Sequence, residues 1–121
     1  MLQKDYILEI VEDFVDGVAK HLDAALAGDA EATGAVEQDV AGLLDLDPEV
    51  ALTLSPDSLV TMMVLSGMGD SVAAYVAYTL TRLADAYEAQ GDADTAALRR
   101  AQAAAVGQSF GCDPMVAPEG F

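Results

Sequence analysis

Hydrophobic side chains recur at three- and four-residue steps along most of the chain, the spacing of one face of an α-helix. The first such stretch covers residues 4–27, and its charged residues fall on the opposite side. No stretch alternates apolar and polar residues as a half-buried strand does. The pattern predicts an all-α protein of five to six helices. The apolar residues of the first helix are Tyr6, Ile7, Ile10, Val11, Phe14, Val18, Leu22, Ala25 and Leu26.

Helix-breaking and helix-capping residues predict where the other helices begin and end. Gly28 and Asp29 separate the first helix from a weaker one at 30–44. Asp47 and Pro48 open a short turn of helix through Leu52, and a helix at 57–66 follows a similar start. We expect Asp70 to cap a long helix at 70–90, and Gly91-Asp92 to turn the chain into a last helix that ends near residue 109.

The helices form one predicted domain, residues 1–110. A chain of 121 residues of which 53% are hydrophobic can form a core. A chain of this length buries about two-thirds of its unfolded surface when it folds. From Gly111 onward, glycine, proline and aspartate interrupt every helical pattern. Residues 111–121 are therefore predicted to be an irregular tail.

The predicted helix at 57–66 is apolar nearly all round. Such a helix is either buried on most sides or part of an oligomer interface. Methionine adapts its shape to varied partners, so Met62 and Met63 are candidate partner-binding residues, with ordinary core packing as the competing interpretation. The helix carries Leu59, Val60, Met62, Met63, Val64 and Leu65.

The chain is strongly acidic, with a formal net charge of −16. The negative charge is concentrated in residues 1–70, which hold fifteen acidic and two basic residues. Binding to nucleic acid or to an anionic membrane depends on Lys and Arg, so we expect neither as a partner. No targeting segment is visible in the sequence, and we expect a cytoplasmic protein.

Acidic residues form a ridge along the first helix at four-residue spacing. Like charges at that spacing destabilise a helix by about 0.2–0.5 kcal/mol per pair. One interpretation is a docking strip for a basic protein or a loose site for a divalent cation. The competing interpretation is a solvated face that contributes only solubility. The ridge consists of Asp5, Glu9, Glu12, Asp13 and Asp16.

Few residues are suited to catalysis or cofactor binding. The single histidine, His21, has no helical neighbour that could orient its imidazole or share a metal, so we predict no special role for it. The single cysteine, Cys112, has no His or Lys beside it in sequence and is predicted to be an unreactive thiol. Arg99 and Arg100 are expected to meet the dipole of the last helix or to pair with the acidic half. We predict no catalytic residue, metal or cofactor.

The two C-terminal helices resemble a single tetratricopeptide (TPR) repeat, whose period is 34 residues. The resemblance covers Ala77 to Phe110 and implies a helical hairpin with right-handed packing. It implies no chemistry. The matching residues are the apolar and small pair Leu83-Ala84, the aromatic Tyr87, the turn Gly91-Asp92, and the small contact positions Ala96 and Ala103.

The sequence departs from the TPR pattern at three positions. Leu80 stands where the family prefers Trp, Arg100 where it prefers a bulky aromatic residue, and Gln108 near the expected terminal Pro. A fainter hairpin, with its turn at Gly28-Asp29, is out of step with a 34-residue repeat. The whole chain is similar to a bacterial family of uncharacterised TPR-like proteins, which implies antiparallel helical hairpins and no activity.

These observations predict a helical protein–protein interaction module that self-associates, most simply as a homodimer, and that has no catalytic activity. The alternative is an acidic binding module that engages a basic protein or a divalent cation through the first helix. A third hypothesis is an enzyme or small-ligand carrier that uses a cavity lined by acidic residues with Tyr75, Tyr78 or Tyr87.

Overall fold

The computed structural model describes residues 2–118 and residue 121, with side chains from residue 9 onward. Within these residues the chain forms six α-helices and no strand, which confirms the all-α prediction. The predicted boundaries agree with the observed ones to within about two residues. The helices are α1 Leu2–Leu26, α2 Ala30–Leu44, α3 Pro48–Ala51, α4 Pro56–Leu65, α5 Asp70–Ala89 and α6 Ala93–Phe110.

Polar side chains cap the beginnings of α2, α3 and α4. The side chain of Asp29 accepts hydrogen bonds from the backbone N–H groups of Glu31 and Ala32, at 3.0 and 3.3 Å. Asp47 and Ser55 cap α3 and α4 in the same way, and each is followed by a proline at the first helical position. A side-chain cap of this kind contributes about 1 kcal/mol.

The predicted cap at Asp70 is wrong. Gly69 occupies the N-cap position of α5, no side chain caps that end of the helix, and Asp70 is the first helical residue. An acidic residue in the first turn still interacts favourably with the helix dipole. Asp70 therefore stabilises the start of α5 through the helix dipole and not, as predicted, through an N-cap hydrogen bond.

The core lies around α5, which packs against α6, α1 and α2. Three large α5 side chains, Val76, Leu80 and Leu83, are fully buried. Burying a side chain of this size stabilises the fold by about 1.5–3 kcal/mol. The predicted apolar faces of α1 and α2 supply the facing core residues Phe14, Val18, Leu22, Val36, Val40 and Leu44.

A buried ion pair joins the two halves of the chain. The Arg99 side chain on α6 is 7% exposed, and its Nη2 donates to Glu37 Oε2 on α2 at 2.5 Å. Arg99 Nη1 donates to the backbone carbonyl of Leu52 at 2.7 Å. Gln102, one turn along α6, donates to the carbonyls of Leu52 and Leu54 at 3.2 and 2.8 Å. These contacts tie α2 and the segment after α3 to α6.

Tyr87 on α5 completes this polar network. Its hydroxyl donates to Glu37 Oε1 at 2.9 Å, and the Arg99 guanidinium lies 5.7 Å from the centre of its ring. Burial, together with the Glu37 carboxylate, raises the pKa of Tyr87 to about 12. The hydroxyl therefore stays protonated and remains a hydrogen-bond donor throughout the neutral range.

The arginines of α6 do not lie in its last turn, because the helix continues to Phe110. The expected interaction with the helix dipole is therefore wrong, whereas the expected pairing of an arginine with the acidic half is confirmed for Arg99. Arg100 points to the other side, where it pairs with Asp85 and Glu88 of α5 at 3.0 and 2.9 Å.

The segment after α6 contains neither helix nor strand within residues 111–118, as predicted. It turns back against α6, and the N–H of Cys112 donates to the carbonyl of Gly107. A Cβ atom at Gly107 would lie 2.7 Å from the Cys112 carbonyl oxygen, so this close approach requires glycine. The ring of Phe121 lies 5.1 Å from that of Tyr78 and 5.9 Å from that of Tyr75 on α5.

No helix in the described part of the chain is long and apolar enough to cross a membrane.

The two adjacent arginines provide a matched test of the buried network. We expect Arg99→Ala to lower the free energy of unfolding by about 3 kcal/mol, since it leaves Glu37, Gln102 and a backbone carbonyl short of a donor. Arg100→Ala removes two half-exposed ion pairs, to Asp85 and Glu88, and should cost less than about 1 kcal/mol. Urea unfolding measures both. Equal losses would contradict the assigned role of Arg99.

Tyr87 should make stability depend on alkaline pH. The folded pKa of about 12 is above the unfolded value of about 10, so the folded chain holds this proton more tightly. The corresponding stability is complete below about pH 10 and is lost as the pH rises to about 12. Denaturant unfolding of Tyr87→Phe should show a shallower decline over this range, and Tyr78→Phe should keep the steep one.

Candidate functional site

The outward face of α4 carries three of the six large apolar side chains that are exposed among the described residues. The exposed fractions of Met62, Val64 and Leu65 are 39%, 59% and 77%. Helical geometry explains this arrangement, because α4 contacts α6 through one side only, where Leu59 and Met63 are buried. The sequence predicted that this helix is either buried on most sides or part of an oligomer interface. Burial on most sides is wrong within a single chain.

The predicted pair of partner-binding methionines is divided between two environments. Met62 lies on the exposed face, whereas Met63 is 1% exposed and belongs to the core. Consecutive residues of a helix point about 100° apart, so two neighbours seldom share a face. Met63 is therefore too buried to contact a partner, whereas Met62 is accessible to one.

The acidic ridge on α1 is solvent-exposed. Glu9, Glu12, Asp13 and Asp16 are all exposed, and none forms an ion pair described by the structure. Asp5, the first residue of the predicted ridge, lies outside the residues with described side chains. Among the described residues there is no group of three or more side chains that could hold a metal ion. The described residues of the ridge present charge to solvent without forming such a group.

His21 has a partner that the sequence did not indicate. Its Nδ1 lies 2.7 Å from Oδ2 of Asp39 on α2, so this contact links α1 and α2. The His21 side chain is 43% exposed. Pairs this accessible to solvent contribute about 0–1 kcal/mol. The contact leaves His21 partly exposed at the boundary of α1 and α2, and among the described side chains no second acid or nucleophile contacts it.

The remaining candidates for chemistry are the Cys112 thiol and the three tyrosines of α5. Burial, and to a lesser extent Asp70 and Asp113, raises the pKa of the partly exposed Cys112 thiol. A raised pKa lowers the thiolate fraction and so the reactivity. Tyr75 and Tyr78 lie against Phe121, whereas Tyr87 contacts Glu37 and Arg99 farther along α5. The three tyrosines are thus divided between two environments.

Sequence reasoning missed the polar core formed by Glu37, Tyr87, Arg99 and Gln102. One signal could have identified Arg99. It follows Ala96 by three residues and precedes Ala103 by four and Val106 by seven, and all three of these residues are buried. An arginine on the apolar stripe of a helix requires an acceptor, because an unpaired buried charge is very costly. The partner, Glu37, is 62 residues away and cannot be found by local spacing.

Comparison of the chain with protein-family models, with curated proteins and with solved structures found no match. The TPR-like pattern at residues 77–110 and its right-handed packing therefore stay predictions.

The contact between Gly107 and the tail predicts the reactivity of Cys112. A methyl group at position 107 would also approach the Pro114 ring to 2.9 Å, so Gly107→Ala must displace residues 112–114. We expect the Cys112 thiol to become more exposed and to react several-fold faster with an aromatic disulfide reagent. Ser109→Ala, at an exposed position of the same helix, is the matched control. The same rate in both variants would show that the tail does not cover the thiol.

Proposed function

We propose that this protein is a helical protein–protein interaction module that forms a homodimer through α4 and has no catalytic activity of its own. The observation that carries the proposal is the exposure of Val64 and Leu65, at 59% and 77%, beside Met62. Exposed apolar patches of this kind mark interaction sites on soluble domains. Burying these side chains against a second apolar surface removes them from water and favours association.

The charge distribution supports a second copy of the chain as the partner. Two chains with a net charge of −16 repel each other at most points of their surfaces. Residues 50–69, which include all of α4, contain one charged residue, Asp57. Contact through α4 therefore brings two copies together where repulsion is smallest, with the acidic ridge of α1 outside the interface.

The size of the surface indicates a weak dimer. A helix of ten residues is about 15 Å long. One face of so short a helix is smaller than the area of about 800 Å² that a stable interface buries on each partner. The interface must therefore extend beyond α4 itself. We expect association at micromolar concentrations.

A second candidate function is an acidic binding module that engages a basic protein. The observation that favours it is the exposure of the described α1 carboxylates, which no described internal partner neutralises. Electrostatic complementarity of this kind steers association and determines specificity. The two candidates respond oppositely to salt. Screening weakens an interface between opposite charges and strengthens an apolar interface between like-charged copies.

The dimer is tested by light scattering at tens of micromolar. The wild-type chain should show twice the mass of one chain, and the dimer fraction should rise with ionic strength. Leu65→Glu adds a buried charge to the interface and should give a monomer. Met115→Glu is the matched control, because Met115 is 75% exposed in the tail, and it should leave the mass unchanged. A monomeric wild type would overturn the proposal.

A further inference from the structure

We propose that an apolar groove between α1 and α2 binds a basic amphipathic helix of a partner protein. The inference rests on the second candidate function, the acidic binding module. It adds the place at which the partner binds and the form that the partner takes.

The groove consists of two adjoining hollows that share Ile10 and Leu43. One hollow, of about 270 Å³, continues along α1 to Phe14. The other, of about 360 Å³, continues past the end of α2 to Met68 and Val72. The groove is open to solvent, and apolar side chains form most of its surface. A row of apolar pockets between two helices is the surface that accepts the apolar face of a third helix.

Carboxylates stand on both sides of this apolar floor. Asp13 lines the groove from α1, and Glu9 lies one helical turn away from it on the same helix. Asp39 and Asp45 line it from α2 and from the residue that follows α2. Asp39 also contacts His21 at 2.7 Å. An apolar floor between acidic borders is complementary to a helix whose apolar face is flanked by Lys or Arg.

A second copy of this chain does not offer such a helix. The chain contains five basic residues, and no described helix carries more than two of them. The two on α6 are held within the fold, Arg99 by Glu37 and Arg100 by Asp85 and Glu88. The occupant that fits the charge is therefore a different and cationic chain.

Two glycines of α2 provide a matched pair of variants. Gly42 lines the groove, whereas Gly34 lies about two turns earlier in the same helix and does not. An added Cβ would meet nothing within 4 Å at either position. Gly42→Arg places a bulky cation in the groove, and Gly34→Arg makes the same change in net charge elsewhere. Both replace glycine with a better helix former, so both are expected to fold.

The probe is a fluorescein-labelled peptide of about 18 residues, built from Leu and Lys with helical amphipathic spacing. The control is a peptide of the same composition in scrambled order. Fluorescence anisotropy with the full chain should show about tenfold tighter binding of the amphipathic peptide. Gly42→Arg should weaken that binding about tenfold, and Gly34→Arg should change it by less than about twofold.

The possible failures are distinguishable. If the scrambled peptide binds equally well, or if both variants weaken binding to the same extent, the groove is not the site, although the acidic binding module stands. If neither peptide binds, the acidic module and the groove both fail. If Gly42→Arg changes the mass of the protein in solution, a second copy occupies the groove and the inference is overturned.

Discussion

The buried ion pair between Arg99 and Glu37 is the interaction on which the arrangement of the two halves depends. A guanidinium that is 7% exposed cannot be left unpaired, since isolated buried charge is strongly disfavoured. Its acceptors lie on α2 and in the backbone after α3, and Glu37 also accepts from Tyr87 of α5. An arrangement that separates these elements breaks several hydrogen bonds at once. Apolar packing alone is less specific, because it accepts many similar arrangements.

The fold class and the helix boundaries could be predicted because their causes are local. Asp29 caps α2 through N–H groups two and three residues ahead, and Gly28 takes the positive φ that ends α1. The apolar stripes are equally local, and Val18, Val36 and Leu80 are fully buried. Asp70 shows the limit of such signals. An aspartate in the first turn of a helix and an aspartate at its N-cap give the same signal in the sequence. Only the backbone geometry distinguishes the two positions.

The functional surfaces could be predicted only in part, because exposure depends on distant segments. The α4 sequence is apolar on nearly every side, so nothing local distinguishes exposed Met62 from buried Met63. The position of α6 makes that distinction. The same holds for Arg99 and Arg100, which are neighbours in sequence and opposite in environment. The contact of His21 with Asp39 likewise arises only when α1 packs on α2. The acidic ridge was predictable, because a dense row of charges on one helix face has to be solvated.

The uneven distribution of charge connects the two proposed surfaces. Residues 1–70 carry fifteen acidic residues and two basic ones. Residues 50–69, which include α4, nevertheless contain only one charged residue. Within about 10 Å at moderate salt, this field determines which surfaces can approach each other. In the proposed homodimer, like copies would meet at α4 and stay apart at α1, whereas the proposed cationic helix would be attracted to the groove beside α1. One field would therefore oppose the first association and favour the second, so added salt would shift the balance from the cationic partner toward the homodimer.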